Sequence, residues 1–226
     1  MAGNFGLNYD FNYKNGDVVW DNKFILAYGL SKIKGDAKTA KTDDRLELNS
    51  LWGKTASGQW YYSIFFNFKS QLDTGFDKNN MKISHFFSPA YFQFGPGMLW
   101  KKSNNLSVNF APAAAKLIVV HDHFTDLGPS FGVLQGDNTR FEFGASVSAY
   151  YKFSVMANVS IENRLNLYSN YLDTPQNVDV DYQMNVVMKI NKYLSANVAL
   201  QAIYDDNSIQ AVQMREVFGL GVNYGF

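Results

Sequence analysis

The chain contains no cysteine, which excludes disulfides, thiolate nucleophiles, thiolate-held metals and an N-terminal lipid-modified cysteine. It has no excess of either charge: 20 basic and 20 acidic residues leave a formal net charge of zero. No global field therefore draws it to nucleic acid or to anionic lipid. Charged residues are 18% of the chain, below the roughly 25% of an ordinary soluble domain. No apolar run reaches the about 18 residues that a membrane-spanning helix requires. The segment after Met1, Ala2-Gly3-Asn4-Phe5, lacks the basic start and apolar stretch of a signal peptide. If the protein is exported, a mature or trimmed chain is expected. Phosphate loops, zinc spacings and basic–aromatic nucleic-acid surfaces are missing too, so neither a cofactor nor a nucleic-acid partner is expected.

What is abundant is aromatic: 19 Phe, 14 Tyr and 4 Trp. These residues recur with a period of two. Trp60, Tyr62, Ile64, Phe66 and Phe68 fall on one face of an extended chain, with Tyr61, Ser63, Phe65, Asn67, Lys69 and Gln71 on the other. Helical spacing would scatter Asn67 and Lys69 among the aromatics. The same alternation runs through Phe5 to Tyr13, Trp20 to Leu30, Leu46 to Trp52, Phe86 to Trp100 and Leu106 to Phe110, where Pro112 is expected to break the register. It resumes through Phe141 to Tyr151, Ile161 to Leu167, Val178 to Ile190, Leu194 to Ala202 and Phe218 to Phe226. Segments of about 10 residues with apolar–polar alternation mark a membrane β-barrel.

A soluble sandwich or a soluble ligand-binding barrel also alternates. These strands, however, run well past the usual soluble length of about 5–6 residues. Aromatics also gather near strand ends, as an interfacial girdle requires: Trp20, Trp52, Trp60, Trp100, Tyr151, Tyr171, Tyr204 and Tyr224. The expectation is an all-β fold, an antiparallel transmembrane up-and-down β-barrel, with residues 1–226 as a single outer-membrane domain.

Connections alternate between short and long. Short turns fall at Lys14-Asn15-Gly16-Asp17, Ala56-Ser57-Gly58, Ser103-Asn104-Asn105, Met156-Ala157-Asn158 and Asn191-Lys192. Long loops fall at Lys34 to Asp43, Asp73 to Lys82, His121 to Thr139, near Asp173, and at Asp205 to Gln213. Short turns belong on the periplasmic side and long loops outside. Eleven strands can be counted. A closed antiparallel barrel of a bacterial single chain has an even number, so either one strand is misdivided or a parent of about 12 strands carries one upstream.

The polar alternates are expected to face the lumen as a network: Asp10, Asp21, Lys23, Arg45, Glu47, Lys69, Glu142, Lys152, Glu162, Arg164, Asp179, Asp181 and Lys189. Both signs are interspersed. They form either a selective narrow pore or a set of ion pairs filling a narrow barrel. His121-Asp122-His123, near Asp126, would put both imidazoles on one strand face, yet it opens a long loop, where polar residues are routine, so no metal is expected. Ser84 and His85 are adjacent on a strand and point to opposite faces, so they cannot pair as nucleophile and base. A barrel enzyme acting on phospholipid or lipid A is thus the alternative, and no catalytic residue is assigned. Asp43-Asp44 and Asp205-Asp206 read as solvated loop ends.

Several motifs together resemble a family. Trp20-Asp21-Asn22, Tyr28-Gly29-Leu30, Lys41-Thr42-Asp43-Asp44-Arg45-Leu46-Glu47-Leu48 and Trp60-Tyr61-Tyr62-Ser63 are similar to a barrel family of unknown function from Bacteroidota. The resemblance continues through Phe87-Ser88-Pro89-Ala90-Tyr91, Leu167-Tyr168-Ser169-Asn170-Tyr171 and Met188-Lys189-Ile190-Asn191-Lys192-Tyr193-Leu194. It implies an outer-membrane location among lipid and lipopolysaccharide and brings no catalytic residues. Tyr224-Gly225-Phe226 is similar to the terminal aromatic signal read by barrel-assembly machinery, so Tyr224 and Phe226 are its expected carriers. A non-enzymatic barrel, acting as a narrow pore or as a filled scaffold among envelope-complex subunits, is the expected function.

Overall fold

A computed structural model describes residues 2–32, 39–77, 81–205 and 209–222. The first strands are β1 (Ala2–Asp10), β2 (Tyr13–Asn15), β3 (Val18–Ser31), β4 (Ala40–Ser57) and β5 (Trp60–Ser70). A small hairpin of β6 (Gly75–Phe76) and β7 (Lys82–Ser84) follows. Then come β8 (Ala90–Ser103), β9 (Leu106–Val119), β10 (Thr139–Met156), β11 (Val159–Asn170), β12 (Asp179–Lys189), β13 (Leu194–Asp205) and β14 (Ile209–Val222). One 3-10 turn, Asp122–Phe124, interrupts the loop after β9. Among the described residues there is no α-helix, and no helix is long and apolar enough to cross a membrane.

Eleven strands follow one another in chain order within one sheet, β1-β3-β4-β5-β8-β9-β10-β11-β12-β13-β14, and β2 pairs separately with β3. β3 pairs antiparallel with β1, β2 and β4, and the neighbours from β10 to β14 pair antiparallel in succession. Two-residue turns set this topology. Gly16 and Gly58 take φ of +52° and +58°, a region that costs other residues steric energy. The single strand expected over Phe5 to Tyr13 is broken at Phe11 and Asn12. There the Asn12 side chain accepts from the Asn22 N–H (3.0 Å), and Asn22 Nδ2 donates to the Phe11 carbonyl (3.0 Å). Asn22 lies on the strand face of Trp20 and Phe24, and the break satisfies its amide there.

The chain divides into two compact units: Met1–Lys54, Ser63–Pro96 and Ala114–Phe143 form the first, and Thr55–Tyr62, Gly97–Ala113 and Gly144–Phe226 the second. In the first, Ile118, Val120 and Val133 form a buried cluster, with Tyr91, Phe124 and Phe131 packed on it. Each such aliphatic side chain contributes about 1.5–3 kcal/mol by leaving water.

Burial along the strands is inverted relative to a soluble sheet. In the first unit, Phe141 is 59% exposed while its neighbour Glu142 is 1% exposed. Ser63 (3%) is likewise buried beside exposed Ile64, and Glu47 is buried as well. The second unit repeats the pattern: Asn109, Ser146 and Ser195 are buried, while Phe110, Tyr151 and Phe218 are exposed. These large apolar residues are exposed and their polar neighbours buried, together with a smaller apolar set that includes Val19, Ile25, Phe65 and Leu99.

Further local expectations are corrected, beginning with Ile209 to Gln213, which belong to β14 and not to a loop. Phe86 is not in a strand: β8 begins at Ala90, after a tight turn in which Phe87 has φ +61°. Pro112 does not end its strand; β9 continues to Val119, and the Pro112 carbonyl accepts from the Tyr171 hydroxyl (3.1 Å). Ala40 to Asp43 belong to β4 rather than to the preceding loop.

β10 and β11 approach closely at Gly144, where a Cβ would collide with the Ser169 carbonyl oxygen. Gly144→Ala should therefore destabilise the fold by about 1–3 kcal/mol. Gly6→Ala, which meets only the Leu26 carbonyl at 4.0 Å, should be neutral. Urea titration of both variants in detergent micelles checks the contrast.

Candidate functional site

Residues two apart on a strand share a face, and the inner face uses this spacing repeatedly. On β4, Arg45 Nε and Nη2 donate to Glu47 Oε1 at 3.1 and 2.9 Å. On β10, Arg140 Nε lies 2.9 Å from Glu142 Oε1, and Lys116 Nζ of β9 lies 3.1 Å from Glu142 Oε2. One buried carboxylate is thus held between two cations. Lys23 pairs with the mostly exposed Asp10 at 3.6 Å. Asp21 on β3 and Lys69 on β5 are half-buried.

The second unit builds its own network. Arg164 Nε and Nη2 donate to Glu162 Oε1 at 3.0 and 2.8 Å, and the Arg164 guanidinium lies 5.3 Å from the Tyr150 ring centroid. Asp181 accepts from Gln183 Nε2 (3.3 Å) and Gln201 Nε2 (2.9 Å). Cross-strand register places Tyr150, Arg164, Gln183, Gln201 and Arg215 in one continuous row. Asp179 is half-buried, whereas Lys152 and Lys189 are exposed toward the turn ends, Lys152 4.0 Å from Glu162. Charge patterning finds Arg164 of this row but not Arg215, which lies before the last alternating segment read from the sequence, nor Gln183 and Gln201, because an amide on a polar strand face carries no sign to track.

At the loop end of the first unit a second polar cluster joins the strands to the loop after β5. Lys41 Nζ donates to Asp44 Oδ2 (2.6 Å) and to the Asp73 carbonyl (2.8 Å). Asp44 also accepts from the Leu72 and Asp73 N–H groups, at 2.7 and 3.0 Å. The Tyr28 hydroxyl donates to Asp73 Oδ2 (2.6 Å). That bond, together with the Thr74 N–H and the Lys41 charge, holds the Asp73 carboxyl below its usual value against the opposing effect of desolvation. Asp43-Asp44 is therefore not a solvated loop end: Asp44 fastens strand to loop.

The three histidines occupy the same unit. The His121–His123 segment is a 3-10 turn with His121 as its N-cap, not a strand. The ring nearest His121 among the described contacts is His85, with centroids 5.1 Å apart. Phe124 lies 5.1 Å from His85, and Lys82 Nζ lies 5.9 Å from the Phe124 centroid. Ser84 Oγ donates to Gln71 Oε1 (3.0 Å) and His85 Nδ1 meets the Phe86 carbonyl (2.7 Å). Each member of this adjacent serine–histidine pair thus has a partner of its own. Among the described residues no group of three or more His, Asp or Glu side chains is arranged to hold a metal.

Trp20, Trp60, Tyr151 and Tyr171 are exposed, and Trp52, Trp100 and Tyr204 are half-buried. Trp20 pairs across the ladder with Trp52 and donates from Nε1 to Ser50 Oγ (2.8 Å). The four tryptophans lie toward the short-turn ends of β3, β4, β5 and β8. Tyr224 and Phe226 lie outside the described residues, as does Asp206.

The family described as "Protein of unknown function (DUF3078)" matches residues 1–76, about a third of the chain. The matched span holds the Trp20, Lys41–Leu48 and Trp60 motifs; those from Phe87 onward lie beyond it. No curated protein and no solved structure matches the chain.

Glu142→Ala should destabilise the fold by about 1–3 kcal/mol, because it removes the buried carboxylate that Lys116 and Arg140 share. Chemical denaturation of wild type and variant measures this loss. The depressed Asp73 carboxyl contributes stability above the unfolded value near 4 and loses it as pH falls through the folded value. Proteolytic nicking between residues 71 and 84 should accordingly rise as pH drops from about 6 to about 3. In Asp73→Asn nicking should be fast at both pH values.

Proposed function

We propose that the chain forms a membrane-embedded β-barrel of a bacterial outer membrane, non-enzymatic and filled, acting as a scaffold or accessory subunit of an envelope complex. The inverted burial carries this reading. Continuous outward rows of Phe, Tyr, Ile and Val would leave a large apolar surface in water, where soluble monomers keep such patches small. In hydrocarbon the same rows are the favourable face, and tryptophans near the short turns suit the headgroup boundary. Strands of up to 18 residues exceed the about 9–11 residues that a tilted crossing needs. The outer membrane and its lipopolysaccharide are assigned from the family resemblance and from the contrast of short turns with long loops.

A filled lumen is favoured over a narrow pore by the burial of Glu142 and Glu47 within ion pairs. Open channels keep such groups hydrated. The separate partners of Ser84 and His85 favour a non-enzymatic role over hydrolysis of phospholipid or lipid A.

The membrane assignment is tested by replacing two exposed apolar residues with arginine. Ile64→Arg, on β5, should cost about 2–4 kcal/mol if the position lies near the bilayer midplane, and should block folding into phosphatidylcholine vesicles. Leu127→Arg, at an apolar residue that is also exposed but lies in a loop, should fold as wild type. Equal behaviour of the two, or a wild-type chain that is monodisperse without detergent, would overturn the membrane reading. In planar bilayers the purified chain should show no steady conductance; regular ohmic steps would replace the filled barrel with a pore.

A further inference from the structure

We infer that His85 and His121 form a binding site for a zinc ion, with water completing the coordination. The two residues come from separate segments, the end of the β6–β7 hairpin and the N-cap of the 3-10 turn. A zinc–nitrogen bond of about 2.0–2.1 Å plus the ring radius puts the metal about 3.2 Å from an imidazole centroid. Two imidazoles at the tetrahedral angle then have centroids about 5.2 Å apart. The observed separation is 5.1 Å.

The outer contacts of both rings are those of metal ligands. His85 Nδ1 lies 2.7 Å from the Phe86 carbonyl, which can only accept, so Nδ1 carries the proton and Nε2 keeps its lone pair. His121 Nδ1 lies 2.6 Å from Asp122 Oδ1. The His123 N–H lies closer to that carboxylate (2.8 Å) than to Nδ1 (3.2 Å), so the carboxylate takes both hydrogens. A ligating histidine commonly donates its other N–H to a carbonyl or carboxylate in this way, which fixes the tautomer and strengthens the donor. His121 is further anchored by its N–H, which donates to Ser88 Oγ at 2.9 Å. Imidazole pairs select zinc, copper and nickel over calcium and magnesium.

The test is zinc titration of the full chain in detergent micelles, by competition with a chromogenic chelator, with calcium as the control cation. One saturable zinc per chain is expected, with two imidazole nitrogens in its X-ray absorption spectrum. His85→Ala and His121→Ala should each weaken zinc binding by more than about tenfold, and Asp122→Asn, which keeps both rings, by about tenfold. His123→Ala should leave affinity unchanged, and far-UV circular dichroism confirms the fold of each variant. Absence of saturable zinc binding, fewer than two imidazoles in the spectrum, or undiminished affinity in folded His85→Ala would overturn the site. Loss in His123→Ala with retention in His85→Ala would transfer it to the sequence-adjacent pair. None of these outcomes depends on whether the strands lie in a membrane.

Discussion

The antiparallel ladder of backbone hydrogen bonds is the constraint on which the other features rest. A strand can satisfy its own N–H and C=O groups only through its neighbours. Once the register is set, every second side chain is committed to one face. A slip of one residue would turn Phe141 inward and Glu142 outward together with every other residue of β10. Register therefore links backbone geometry to the ion pairs: Lys116 reaches the Glu142 carboxylate, which Arg140 approaches along its own strand, only because β9 and β10 are aligned as they are. The row from Tyr150 to Arg215 depends on the same alignment across five strands.

Charge burial on this scale is stable only when each ion keeps its partner. A carboxylate removed from water costs several kcal/mol, and attraction at close range offsets that cost only in good geometry. Glu47 meets the condition with a two-nitrogen grip from Arg45 and the half-buried Asp181 with two amides, while Glu142 has two cations within 3.1 Å but no well-aligned hydrogen bond. Such a face also specifies the fold, since a shifted register would separate the cross-strand partners, Lys116 from Glu142 and Gln201 from Asp181.

Period two made most strands legible in the sequence, and the short turns could be placed from Asn-Gly, Ser-Gly and Asn-Asn signals. Pro112 misled because a proline lacks only the N–H; its carbonyl still joins the structure, accepting from Tyr171. Phe86 misled because it continues the aromatic alternation into a turn whose geometry is set by Phe87, Ser88 and Pro89. The polar clusters at the loop ends were not legible at all. Lys41 meets the Asp73 carbonyl, and His85 meets His121, across separations that no local period encodes. Histidine spacing pointed to His123 as the neighbour of His121, but the 3-10 turn directs the chain elsewhere and leaves the place to His85.

The length of β4 has a mechanical meaning. If the sheet closes into the proposed membrane barrel, eighteen residues at about 3.3 Å each, tilted by about 40°, would rise roughly 45 Å along its axis, against an apolar band about 25 Å tall. Its leading residues, Lys41-Thr42-Asp43-Asp44-Arg45, are all polar, and the outward apolar row begins only at Leu46. In a lipid-embedded barrel the first turns of this strand would stand clear of the hydrocarbon as a stiff hydrated collar. The Lys41–Asp44 fastening would then hold the loop after β5 at a fixed height above the lipid surface, as a platform rather than a tether.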